Sequence, residues 1–77
     1  MDADNLIRMA NRVGDFFEAW PDRAEALEGI ATHLKKFWDP RMRTELLRYI
    51  DEEGGVGCKP SVLAAIAAHR EGLTPRS

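Results

Sequence analysis

The chain has 77 residues, 44% hydrophobic and 31% charged, with a net charge of −2 at neutral pH, and its pI is near 5.6. That balance excludes a disordered chain, and no apolar run approaches the ~20 residues that a bilayer span requires. The acidic excess argues against a dedicated nucleic-acid binder, and the single cysteine, Cys58, permits no internal disulfide.

An unstapled chain this short fits a reducing compartment. Met1-Asp2-Ala3-Asp4 is acidic where a secretory signal would be basic, so a cytoplasmic location is expected. Size scaling gives a folded surface of about 4,700 Å² against about 12,600 Å² unfolded. With roughly 60% of the buried area apolar, burial contributes on the order of 120 kcal/mol at ~25 cal/mol/Å². Ordering the chain costs about 115 kcal/mol. A lone chain is therefore marginal, and a partner covering apolar surface would stabilise it.

The first apolar series, Leu6, Met9, Ala10, Val13, Phe16, Phe17 and Trp20, advances in steps of three and four and predicts a helix over 4–20. Asp2 or Asp4 can cap its start. Gly14 weakens a helix interior by about 1 kcal/mol, or its missing side chain serves a close helix crossing.

Trp20-Pro21-Asp22 breaks that helix, because the residue before proline is pushed out of the helical region. Asp22 with Glu25 reads as an aspartate form of the capping box. The stripe Ala24, Leu27, Ile30, Ala31, Leu34, Phe37 and Trp38 then predicts a second helix over 22–38. Asp39-Pro40 is an N-cap followed by proline at the first helical position. It opens a third helix, 40–53, carrying Met42, Leu46, Leu47, Tyr49 and Ile50 and stopping at Gly54-Gly55.

Gly54-Gly55-Val56-Gly57 lacks the lysine, the serine or threonine, and the preceding strand of a phosphate loop, so it reads as a C-cap and turn. Lys59-Pro60-Ser61 opens a fourth helix, 60–71, with Val62, Leu63, Ile66 and Ala67 on one side. Gly72 is expected to end it. The fold class is all-α: a small four-helix domain, 1–72, with short turns marked by proline and glycine, and a frayed tail, 73–77.

Chemistry is sparse. Cys58, His33 and His69 share no spacing that signals zinc. No third group orients a Cys–His pair for nucleophilic work. Ser61 is a first-turn residue, and Glu52-Glu53 reads as a solvated helix end. No catalytic, cofactor-binding or metal-ligating residue is assigned.

Between His33 and Arg48 the charge is lopsided: Lys35, Lys36, Arg41, Arg43 and Arg48 face only Asp39 and Glu45. Within that stretch Phe37-Trp38 precedes a rigid Asp-Pro turn and two arginines. Helix neighbours lie about 100° apart, so the two aromatics cannot both reach the centre of a small core. Tryptophan, arginine and methionine are enriched at interfaces and their hot spots. The candidate partner-docking residues are Phe37, Trp38, Pro40, Arg41, Met42 and Arg43, and the alternative is a solvated basic surface.

Three blocks also resemble a known family: Asn5-Leu6-Ile7-Arg8-Met9-Ala10-Asn11 with Phe16-Phe17; Ala26-Leu27-Glu28-Gly29-Ile30-Ala31 with His33-Leu34; and Lys36-Phe37-Trp38-Asp39-Pro40-Arg41-Met42-Arg43. They look like the small delta subunit of bacterial NAD-dependent, molybdenum-containing formate dehydrogenases, over about Asn5 to His69. The resemblance implies a cytoplasmic complex whose large subunit holds a bis-molybdopterin-guanine-dinucleotide molybdenum cofactor and iron–sulfur clusters. Other subunits would carry further clusters, FMN and the NAD site.

The delta subunit itself would hold no cofactor. It would bind the large catalytic subunit and support assembly, the cofactor-loaded state or stability, with no nucleic acid, membrane or small-molecule substrate as partner. The rival from another class is a small helical regulator of nucleic acid, with Arg41, Arg43 and Arg48 on its recognition helix, or a free-standing adaptor. Cys58 looks incidental to the delta-subunit pattern.

Overall fold

The computed structural model describes residues 2–75. Helix α1 spans Ala3–Phe17, α2 Arg23–Phe37, α3 Pro40–Glu53, α4 Pro60–Ala68 and α5 Arg70–Leu73. The all-α class holds, and among the described residues no strand is present. No described helix is long and apolar enough to cross a membrane.

The capping chemistry explains where the long helices start. Asp2 accepts from Asp4 N at 3.1 Å, Asp22 from Glu25 N at 3.0 Å and Asp39 from Met42 N at 2.9 Å, so each side chain satisfies a free first-turn amide. Pro40 and Pro60 occupy first-turn positions where no amide is required. Helix α3 ends at Gly54 in the left-handed region, φ 77°, which glycine enters without steric cost.

Lys59 supplies no side-chain cap to α4. Its amide is held instead by Asn11 of α1: Oδ1 accepts from Lys59 N at 2.9 Å, while Asn11 Nδ2 donates to Gly57 O at 2.9 Å.

Helices α1, α2 and α4 pack on one another, α3 joins chiefly through α1, and α5 closes over α2 and α4. Ala10, Ile30, Val62 and Ala65 are fully buried. A Cβ on Gly14 would lie 2.9 Å from Val62 Cγ2 and 3.2 Å from Ser61 Oγ, so this glycine serves the α1–α4 crossing. The accessible surface is 5000 Å², near the ~4,700 Å² expected of a compact chain this size. Apolar exposure is therefore local, not general.

The C-terminus departs from the sequence expectation. Helix α4 stops at Ala68 because His69 leaves the helical region at φ −122°, ψ 23°. Gly72 ends nothing; it lies inside α5. Leu73, expected at the start of a frayed tail, is 2% exposed and belongs to the core cluster. The break at His69 turns the chain back so that this leucine buries its side chain, a gain of roughly 1.5–3 kcal/mol. Thr74 Oγ1 donates to Arg70 O at 2.9 Å, and Arg70 reaches Asp51 of α3 through two bonds, 2.8 and 2.6 Å. Arg76 and Ser77, the end of the expected tail, lie outside the described residues.

Candidate functional site

The turn between α2 and α3 is built rigidly. Trp38 caps α2 in an extended conformation, φ −91°, ψ 133°, with its amide still donating to Leu34 O at 3.0 Å. Asp39 then caps α3, and Thr44 Oγ1 donates to Pro40 O at 2.9 Å. This geometry splits the expected docking block in two. Phe37 is 71% exposed, whereas Trp38 is 5% exposed and packed in the core.

Trp38 therefore does not present its indole to a docking partner, contrary to the sequence expectation. Leaving the helix at residue 38 swings its indole inward, where burying such a large side chain stabilises the fold. Pro40 and Arg41 are exposed, and Met42 and Arg43 are half-buried. Met42 packs on the core, and Arg43 Nε is enclosed with no hydrogen-bond partner among the described residues. Of the arginines on α3, Arg48 is engaged by Glu45 at 2.5 Å, which leaves a weak charge array for a nucleic-acid recognition helix.

A second surface was not separated from the core by sequence alone. Phe16 is 64% and Trp20 43% exposed. Phe17 meets both edge-on, with centroids 4.9 Å apart in each pair. On α2 itself, one turn apart, the rings of His33 and Phe37 lie tilted with centroids 4.8 Å apart. Phe17, Trp20, His33 and Phe37, but not Phe16, line a groove of about 320 Å³ that also takes in Gly29, with charged residues at its ends.

Gly29 makes this possible: a Cβ there would overlap the ring of Phe17, so only glycine lets that ring lie against α2. The signal was present in Phe16-Phe17. Two adjacent aromatics cannot share one core direction, the same argument that separates Phe37 from Trp38.

Elsewhere the polar chemistry is structural. Ser61, 4% exposed, donates to Glu18 Oε2 at 2.5 Å, and this bond with the Lys59 ammonium holds the Glu18 carboxyl below its ordinary range. Lys59 Nζ reaches Asp15 at 2.6 Å and Glu18 at 3.2 Å, and these carboxylates push the Lys59 ammonium up. The cluster ties the end of α1 to the start of α4. Burial pushes the Cys58 thiol up, away from the thiolate that a nucleophile or metal ligand needs.

One glycine of the Gly54–Gly57 loop packs inward while Val56 is exposed. Gly55 is buried, and a Cβ there would meet Leu63 at 2.7 Å. Tyr49 Oη donates to Val56 O at 2.6 Å, and Gly57 O is taken by Asn11. Among the described residues no group of three or more His, Cys, Asp or Glu could hold a metal ion. The Cys58 thiol, pushed up by burial, is poorly suited to ligate a metal or cluster.

Comparison with known proteins agrees with the three sequence blocks. No curated protein and no solved structure matched the chain. A family model, the NADH-dependent formate dehydrogenase delta subunit FdsD, matches residues 5–66, which include the α1–α4 crossing, the aromatic groove and the Asp39-Pro40 turn. The chain belongs to the NADH-dependent formate dehydrogenase delta subunit family.

Proposed function

We propose that this chain is a non-catalytic accessory subunit of an NADH-dependent formate dehydrogenase. It docks on the large catalytic subunit in the cytoplasm and supports assembly, the cofactor-loaded state or stability. The molybdenum centre, iron–sulfur clusters, FMN and the NAD site belong to the other subunits. The observation that carries this reading is Phe37, 71% exposed, beside exposed Pro40 and Arg41 on a turn clamped by its own cap.

Such a turn has little conformational entropy left to lose on binding. Met42 and Arg43 are half-buried next to it in sequence, and Trp38 is buried in the core. An arginine held this way can make paired bonds to a carboxylate or to backbone carbonyls of the partner.

The test is retention of the tagged chain in the purified complex. The double variant Arg41→Ala with Arg43→Ala is expected to weaken retention more than tenfold while preserving helicity, as truncation of a hot spot does. Unchanged retention removes the Pro40–Arg43 segment from the docking surface. Failure of the unmodified chain to co-purify with the enzyme refutes the accessory role itself.

A further inference from the structure

The groove beside α2 carries its charges in order. Glu25 and Glu28 line the end near Phe17 and Trp20, and Lys36 lines the end near Phe37. Between them lie small residues, Gly29 and Thr32. The lining positions advance by three and four along one face of α2, so the stripe is about 18 Å long, just over three helical turns. The backbones of α1 and α2 are bonded within their helices and offer no free edge to an extended peptide, whereas a helix satisfies its own backbone.

A second α2 laid antiparallel along this stripe can set acid opposite base at two symmetric positions. Placing the two-fold axis at Thr32 sets Glu28 of each copy opposite Lys36 of the other, four residues either side. Any other antiparallel register loses that pairing, and a parallel one sets acid against acid. The shape is self-complementary as well. Phe37 projects at one end of the stripe, and the hollow flanked by Phe17 and Trp20 lies at the other. The two-fold then inserts each Phe37 beside the aromatic pair of the other copy, as an isologous interface requires. Thr32, short and exposed at the axis, permits the close helix approach of about 8–10 Å.

We propose that the free chain pairs with a second copy of itself through this groove, α2 against α2, with Glu28 and Lys36 as reciprocal partners. Phe37 also belongs to the surface assigned to the catalytic subunit, so self-pairing and docking exclude one another. The proposal needs no enzyme for its test and stands or falls separately from the accessory role.

The experiment is sedimentation equilibrium of the purified full chain over a concentration series. The expected mass rises from that of one 8.7 kDa chain to twice that value. Glu28→Lys alone and Lys36→Glu alone each turn two attractions into two repulsions. Each should raise the dimer dissociation constant about tenfold or more, with circular dichroism unchanged because both sites are exposed. An equimolar mixture of the two variants should recover a dimer of one of each, since every opposed pair is then again acid with base. A monomer at all concentrations overturns the proposal. So does a dimer indifferent to both reversals, or a mixture that fails to recover.

Discussion

Asn11 Oδ1 accepts a 2.9 Å hydrogen bond from the backbone amide of Lys59, 48 residues further along the chain. With the bond from Asn11 Nδ2 to Gly57 O, one side chain of α1 fixes the loop that leads into α4. It anchors the amide of the cap residue, whose own side chain makes no cap bond to α4. Asn11→Ala leaves a partly buried amide and a carbonyl without partners. The expected loss is about 1–3 kcal/mol, read as a lower denaturation midpoint in urea. Asn11→Asp keeps the acceptor and loses the donor, so it should fall between the two.

Two glycines make a paired test of the α1–α4 crossing. Gly14→Ala forces a methyl to 2.9 Å from Val62, which is fully buried, and overpacking of this kind costs about 1–3 kcal/mol. Gly72→Ala meets nothing within 4 Å and sits in α5, so it should stabilise by roughly 0.4–1 kcal/mol through the unfolded chain. Thermal melts of the two variants should therefore move in opposite directions. Melts that move together would show that the crossing tolerates the methyl.

Phe37 and Trp38 are neighbours with opposite duties. Trp38→Ala empties a core position and should cost about 3–5 kcal/mol, enough to unfold a chain of marginal stability. Phe37→Ala should change the stability of the isolated monomer by no more than about 0.5 kcal/mol. Its effect belongs in retention by the enzyme and in self-association. Comparing melting with binding for the two variants separates the roles.

The Arg70–Asp51 pair gives a pH dependence with a definite sign. The two bonds from Arg70 hold the Asp51 carboxyl below its ordinary range. A carboxylate depressed in the folded state adds stability above its unfolded pKa of about 4, and that stability is lost as pH falls through the folded value. The melting temperature of the parent should exceed that of Asp51→Asn at neutral pH. The gap should narrow on acidification below about pH 4. Both side chains are about half exposed, so the gap should be small and shrink further in high salt. A gap constant with pH would show the pair contributes nothing to the closure of α5.

Sequence alone determined the helices and most of their ends, because those are local matters. Asp22, Asp39, Pro40, Pro60 and Gly54 act within a few residues of themselves, and a helix start or stop is legible wherever the cap and the capped amide lie in one turn. The same locality made the three sequence blocks readable as those of a family. What tertiary structure decided is everything that depends on direction.

Stripes that carry Phe16-Phe17 and Phe37-Trp38 say that aromatics are near a core, but not which of two neighbours faces it. That choice fell to the extended turn at Trp38 and to the absence of a side chain at Gly29. Asn11 gripping Gly57 and Lys59, Gly14 admitting Val62, and His69 turning Leu73 inward link residues with no regular spacing between them. Their partners are set by how α1, α2 and α4 pack, and periodicity carries no record of that.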